Sequence, residues 1–359
     1  DYIPTTPFSN TADANDPGSG TIHQWNVWSG NQPGRNYTAG DAARFVTEFG
    51  MQSLPDIDTV KSFCADKGPG MSTRSIEKHN YQLDGNSRLF SYLTELFDPP
   101  ADLEQLIYLT QLAQARRVKE YVEHLRAHNN INSGVLFWQF NDCCPAISWS
   151  AVDCLRKPKA LYFYARRFFA GVLPILLTQS NSPRPDIEPT LASARAVVVN
   201  DMPEPLAATL ICRLMDMQGN VLDKVDLALA IGPSSTSTPL RLPKALVRPK
   251  NPQQSLLQLV LENVNGVIAQ NNYLYLPDKY MEWPKAQITT TFRQLDKRKW
   301  AITLQSDAVV KDVQITTRAP AQLSDNYVDL IPQQRRELTV DFDRDAEDAE
   351  PLIALRRVE

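Results

Sequence analysis

The order of apolar and polar positions divides the chain into two regimes. From Asp1 to about Val172, short apolar runs alternate with stretches of helical spacing. The clearest follows Asp102, where Leu106, Leu109 and Ala113, then Val118, Tyr121, Val122 and Leu125, recur at intervals that place them on one helix face. Asp102 suits the N-terminal end of that helix, and Asn129 and Asn130 suit its C-cap. Next comes an unbroken apolar run from Val135 to Phe140, bounded by Gly134 and Asn141, which predicts a strand buried on both faces. Helical spacing returns through Leu161, Tyr164, Ala165 and Phe168. Strand, helix and buried strand in this order predict repeated β/α units with parallel strands.

After about Leu173 the period shortens. The segments ARAVVVND, LAATLICRLMD, SLLQLVLEN and NNYLYLP read as strands separated by Pro, Ser, Asn and Gly clusters. Within MDMQGNVL, Gly219 and Asn220 tolerate positive φ and predict a hairpin. From about Asp278 a second β-rich unit carries AQITTTFRQ, KRKWAITLQS, DVQITTRA and RELTVDFD. The expected organisation is residues 1–172 in β/α units, 173–277 as one immunoglobulin-like sandwich and 278–359 as another. Trp283 and Trp300 are expected in sandwich cores.

Composition narrows the function classes. A chain of 359 residues exceeds one ordinary core and predicts several domains. Its net charge of -4 provides no basic footprint, so nucleic acid is not an expected partner. No apolar run reaches the roughly 18 to 20 residues of a spanning helix, so neither is a membrane, and a soluble chain is expected. Five cysteines and four histidines lack metal-ligand spacing. Free thiols in a reducing compartment are the expectation, which favours the cytoplasm.

Candidate chemistry gathers where strands of the first region end. Glu48 lies among Phe45, Val46, Phe49, Met51 and Leu54, and a carboxylate in such company must be paired, protonated or used in chemistry. His23, Trp25 and Trp28 interrupt TIHQWNVWSGN, and Trp138, Asn141 and Asp142 close the apolar run of LFWQFNDCCP. In a β/α barrel such ends converge on one mouth. Each residue alone has a plain structural explanation. Together they offer what a sugar requires: aromatic faces for C–H surfaces, and carboxylates and amides for hydroxyls.

The succession HQWNVWSG, RFVTEFGMQSLP, GVLFWQFNDCCPAISWSAVD and KPKALYFYARRFFAGV resembles the β-mannosidases of glycoside hydrolase family 2 in order and spacing. The resemblance covers roughly the first 172 residues. It implies the C-terminal part of a (β/α)8 TIM barrel followed by two immunoglobulin-like sandwiches. It further implies that Glu48 is the nucleophile at the end of the seventh barrel strand and that Trp138 floors the sugar subsite after the eighth. Asn141 and Asp142 stand just beyond Trp138, and His23, Trp25 and Trp28 match the aromatic segment after the sixth strand. The expected activity is retaining exo-hydrolysis of terminal non-reducing β-D-mannose from glycosides or oligosaccharides, with no metal or organic cofactor.

The sequence also departs from the family. A retaining glycosidase needs a second carboxyl group about 5 to 5.5 Å from the nucleophile. The family supplies it as a Glu after Asn, upstream on the fourth strand, and no Asn-Glu dipeptide precedes Glu48 here. The chain is therefore expected to be the C-terminal portion of a larger enzyme, partnered by the missing N-terminal part and inactive without it. Two alternatives stand beside this reading. One is a family relative acting on β-glucosaminides or β-galactosides, and the other is a non-catalytic carbohydrate-binding or assembly module.

Overall fold

The computed structural model describes residues 4–30, 43–64, 74–177, 191, 194–349 and 352–358. Its first part is a three-stranded parallel sheet with helices packed on one side. Strands β1 (Ile22–Gln24) and β2 (Phe45–Phe49) are followed by helices α1 (Ile57–Phe63), α2 (Arg74–Lys78), α3 (Gly85–Leu96) and α4 (Leu103–Ala127). Strand β3 (Gly134–Val135) and helix α5 (Ala160–Phe168) complete it. The sheet order is β1-β2-β3, and both pairings are parallel.

Helix α4 forms where the apolar spacing requires. The Asp102 carboxylate accepts a hydrogen bond from Gln105 N at 2.7 Å, satisfying one of the free donors of the first turn. Leu106, Leu109, Ala113, Val118, Tyr121, Val122 and Leu125 are all buried. Polar residues on the same helix reach inward to tie the strand ends. Gln114 Nε2 donates to the carbonyls of Met51 at 2.7 Å and Trp149 at 3.0 Å, and Ser53 Oγ donates to Gln114 Oε1 at 2.7 Å. These bonds satisfy backbone groups that the loops after the strands would otherwise bury unpaired.

The run from Val135 to Phe140 corrects one expectation. Regular strand ends at Val135, although the extended chain continues beside β2 through Leu136 N to Val46 O and Trp138 N to Phe49 O, both 2.8 Å. Burial alternates along it: Val135 is buried, whereas Leu136, Trp138 and Phe140 are exposed. Among the described residues the run lies at the edge of the sheet, with only its alternate positions covered.

The remainder is two β-sandwiches. In the first, β4 (Val172–Leu177), β5 (Arg195–Asn200), β8 (Ser235–Thr236) and β9 (Leu240–Arg241) face a sheet ordered β11-β10-β6-β7. Its members are β6 (Leu206–Asp216), β7 (Val221–Ile231), β10 (Ser255–Asn263) and β11 (Gly266–Leu274). A short helix, α6 (Lys244–Val247), lies between β9 and β10. Strands β4 and β5 are apolar on both faces for a reason: Leu173, Ile175, Val197 and Val199 join the core under the helices, while Leu176, Ala196 and Val198 join the sandwich core.

The second sandwich pairs a sheet ordered β12-β13-β17-β15 with one ordered β16-β14-β18. The strands are β12 (Ile288–Gln294), β13 (Lys299–Ser306), β14 (Val310–Thr317), β15 (Ala321–Leu323), β16 (Val328–Leu330), β17 (Arg336–Phe342) and β18 (Ile353–Arg356). Ile302, Leu304, Val313, Val328, Leu338 and Val340 form its centre, with Trp300 at the edge, while Trp283 packs on the first sandwich core. The expected hairpin joins β6 to β7; Gly219 alone in it has positive φ (83°), and a side chain there would strike Pro332 of the second sandwich. The barrel-end-plus-two-sandwich architecture expected from the sequence is the architecture observed.

The domains meet at a charged junction. Arg116 on α4 donates to the carboxylates of Asp278 (3.0 Å) and Asp312 (3.1 Å). The Tyr164 hydroxyl donates to the other Asp312 oxygen, and Tyr108 donates to the Asp312 carbonyl at 2.8 Å. Burial holds the Asp278 carboxyl above its ordinary range although Arg116 pulls it down.

Candidate active site

Glu48 is the penultimate residue of β2, just before Phe49. A register shift between Ile22 and His23 brings His23 opposite Glu48, so the two side chains stand on the same side of the parallel pair. The His23 Nδ1 to Glu48 Oε2 distance is 3.4 Å, and Trp25 Nε1 donates to the same oxygen at 3.2 Å. Glu48 remains about one quarter exposed (27%) and His23 about one fifth (20%), so the pair is reachable from outside.

The backbone around His23 is held rigidly. Asn15 clamps it from both sides, with His23 N donating to Asn15 Oδ1 at 2.7 Å and Asn15 Nδ2 donating to His23 O at 3.0 Å. The far ring nitrogen, Nε2, lies 3.2 Å from Thr6 Oγ1. The turn after β1 is pinned from α3, where Arg88 donates to the carbonyls of Trp28 and Ser29, the latter at 2.8 Å. These contacts fix Trp25, and through it the donor to Glu48.

Trp138 runs beside the end of β2, its N–H donating to Phe49 O at 2.8 Å, and the residue is 43% exposed. Gly50, two residues after Glu48, makes the approach possible: a Cβ there would lie 2.2 Å from the Trp138 carbonyl oxygen and 3.3 Å from Trp149 Cδ1. The Trp138–Gln139 peptide is cis. Trp149 was not among the residues singled out from sequence. Its ring meets the Trp25 ring edge-on, with centroids 6.1 Å apart at 75°. The one sequence signal for it was its place in the loop after Trp138.

Two of the expected site residues are placed elsewhere. Trp28 is fully buried and stacks on Tyr92 at 5.5 Å, so it packs the turn and presents no face to a ligand. Asp142 is buried and spent on its own loop. Its Oδ2 accepts from Ser148 Oγ and Ser150 Oγ, each at 2.7 Å, and its Oδ1 from Gln139 Nε2 at 3.2 Å. Asn141 is exposed, and its Nδ2 donates to the Asp142 carbonyl at 3.2 Å.

Asp142 braces the loop together with Lys159. That amine is buried and donates to Ser148 O at 3.2 Å. Burial lowers its pKa to about 8, against the pull of Asp142 and Asp153. Asp153 closes the other end of the loop, accepting from Thr59 Oγ1 at 2.6 Å and from Lys157 N at 2.9 Å. The loop that carries Trp138 and Trp149 is therefore anchored to α1 and α5 through buried carboxylates.

The arrangement offers one carboxylate with two nitrogen neighbours on one oxygen, at a strand end beside which the exposed Trp138 runs. Among the described residues, no group of three or more His, Cys, Asp or Glu is placed to hold a metal ion. A cavity of about 1230 Å³ between α4, β11 and the second sandwich is lined by Arg116, Arg213, Tyr273 and Lys311 among others, and none of the Glu48 group lines it. Among the described residues no helix is long and apolar enough to cross a membrane.

Comparison with known proteins bears on the fold and the domains. Residues 193–280 match the mannosidase Ig/CBM-like domain family, and residues 283–357 match an Ig-fold domain family of mannosidases. Beta-mannosidase B of Aspergillus clavatus is 25% identical over 352 residues, covering 94% of this chain and 41% of its own length. Beta-mannosidase B of Aspergillus niger is 36% identical over 173 residues, covering 46% of this chain and 20% of its own length. Among solved structures, the β-D-mannosidase of Dictyoglomus thermophilum superposes with a TM-score of 0.86 at 25% identity, covering 99% of this chain and 42% of that one. The exo-chitosanase of Amycolatopsis orientalis shares the fold, with a TM-score of 0.67 at 16% identity over 91% of this chain and 44% of that one. The chain thus spans about two fifths of the length of the Aspergillus clavatus and Dictyoglomus relatives.

Proposed function

We propose that this chain, a glycoside hydrolase of the family 2 β-mannosidase type, carries in Glu48 the nucleophile of a retaining exo-β-mannosidase. The observation that supports the reading most is the Glu48 group itself. A carboxylate at a strand end is held by His23 and Trp25, stays partly open to solvent and lies on the strand beside which the exposed Trp138 runs.

The chemistry follows from those positions. Glu48 attacks the anomeric carbon in its ionised form, and a donated hydrogen bond from Trp25 Nε1 stabilises that form and orients the lone pair. The glycosidic oxygen leaves with a proton from a second carboxylic acid, which then takes a proton from water as it hydrolyses the glycosyl-enzyme. No residue of this chain is assigned that second role, since Asp142 is committed to Ser148, Ser150 and Gln139. We place the acid/base in the portion of the full-length enzyme that this chain does not include. Trp138 supplies an apolar face for the sugar ring, and Asn141, exposed beside it, is an amide for hydroxyls. Terminal β-D-mannosides are the proposed substrates.

The test uses the protein extended to the length of its relatives and an aryl β-mannoside. Loss of turnover in Glu48→Gln, with the β-anomer of mannose released first by the wild type, is the expected outcome. Normal turnover by the variant, or an inverted product, contradicts the assignment. Preference for an aryl β-glucosaminide or β-galactoside over the mannoside would keep the mechanism and change the substrate.

A further inference from the structure

The loop after Trp138 carries three of the chain's five cysteines, Cys143, Cys144 and Cys154. All five are free thiols; Cys143 and Cys144 are exposed, Cys154 is half-buried and Cys212 lies inside the first sandwich. Cys143 and Cys144 are adjacent in sequence and both exposed, and Cys143 and Tyr81 lie near enough to the Cys144 thiol to act on its ionisation. The pair is displayed on a braced turn. Immediately before it, Asp142 N donates to Val152 O at 3.0 Å, and the Asp142 carboxylate is bound by both serines and Gln139. The Glu48 chemistry uses neither thiol.

We propose that Cys143 and Cys144 form a reversible dithiol–disulfide site that exchanges with low-molecular-weight disulfides of the glutathione class. The thiolate of one cysteine attacks a sulfur of the small disulfide, whose S–S bond breaks and releases one small thiol. The neighbouring thiolate then attacks the protein-bound sulfur, forms the internal S–S bond and releases the second small thiol. Two protein thiols are oxidised and one small disulfide is reduced to two thiols, with the protein's two thiol protons ending on the released thiols. The second thiol, carried on the adjacent residue, favours the second attack over accumulation of the mixed adduct. Neighbouring Cα atoms lie about 3.8 Å apart, short of the usual disulfide range of roughly 4.4 to 6.8 Å, so the bridge is strained and readily reduced again.

The surroundings set the pH response. Desolvation first, then Cys143 and Asp142, hold the Cys144 thiol above its ordinary range, while Tyr81 opposes them. Cys154, beside Asp153 and Asp142, is raised in the same direction. Exchange therefore accelerates as pH rises and the thiolates appear. This site does not rest on the glycosidase reading.

The test treats the reduced chain with glutathione disulfide at a series of rising pH values, followed by intact mass and peptide mapping. The expected product has lost two hydrogens, carries its bridge within the peptide containing Asp142–Pro145, and returns fully to the dithiol with dithiothreitol. Cys144→Ser should instead retain a glutathione adduct on Cys143, and Cys154→Ser should behave as the wild type, with circular dichroism confirming that both variants fold. A wild-type chain that does not react, that accumulates only the mixed adduct, or that bridges to Cys154 overturns the proposal.

Discussion

Two clusters of charge in this molecule are built from similar parts and finished differently. At the junction between α4 and the sandwiches, Arg116 binds Asp278 and Asp312, and Tyr164 takes the remaining Asp312 oxygen. Both aspartates are buried, and the donors to their carboxylates come from helices α4 and α5. At the sheet end, Glu48 receives His23 and Trp25 on one oxygen, and the described residues leave its other oxygen without a partner. The junction is closed and saturated, whereas the strand end is open and half-satisfied. Burial perturbs ionisation most where groups are structural, as at Asp278 and Tyr164. The proposed ligand site rests instead on spare hydrogen-bonding capacity at a partly exposed carboxylate.

That contrast breaks if the two carboxylates exchange behaviour. Glu48→Gln, in the protein extended to the length of its relatives, should reduce turnover of an aryl β-mannoside on the order of 10³-fold or more while leaving the melting temperature close to wild type. Asp312→Ala should do the reverse in stability, because it removes one of the two carboxylates on the buried Arg116 and the acceptor of the buried Tyr164 hydroxyl; a loss of roughly 3 to 5 kcal/mol is expected by chemical denaturation. Unfolding of the first variant and normal melting of the second would dissolve the distinction.

Acid sharpens it further. His124 on α4 lies half-buried beside His128, and burial followed by that neighbour lowers its pKa to about 4. The unfolded chain binds this proton near the ordinary value of about 6.5 while the folded chain does not. Stability is therefore full above about pH 6.5 and falls as pH drops toward 4, by on the order of 2 kcal/mol. His124→Gln should flatten the thermal stability profile across that window; an unchanged slope would assign it to other groups.

Smaller effects belong to the indoles. Trp25→Phe keeps the edge contact to Trp149 and removes the donor to Glu48, so kcat/KM should fall roughly tenfold, the equivalent of about 1.4 kcal/mol. Trp28→Phe should leave kcat/KM within about twofold. Trp28 Nε1 is already buried without a described partner, so the variant gives up no hydrogen bond there. A large loss of activity in Trp28→Phe would return that residue to the substrate group.

Much of this was legible in the sequence because local rules governed it. The spacing of Leu106 to Leu125 and the Asp102 cap define α4, and alternation with turn residues marks the sandwich strands. The run from Val135 to Phe140 was misjudged because six apolar residues read alike whether one or both faces are covered. Sequence also placed Trp28 and Asp142 at strand ends without showing which way each side chain turns. Tyr92 claims the first and Ser148 with Ser150 the second. The Arg116 junction was invisible, since its partners lie 162 and 196 positions along the chain. Trp149 enters the site through a loop whose path is set by Gly50, Gln114 and Asp142.

The identity of the nucleophile is best decided by trapping the glycosyl-enzyme. The protein extended to the length of its relatives would be incubated with a 2-deoxy-2-fluoro-β-mannosyl fluoride, digested, and the labelled peptide sequenced by mass spectrometry. A stable fluoromannosyl ester on Glu48, absent from Glu48→Gln, is the result expected. A label on any other carboxylate, or turnover without a trapped intermediate, would contradict the role assigned to Glu48.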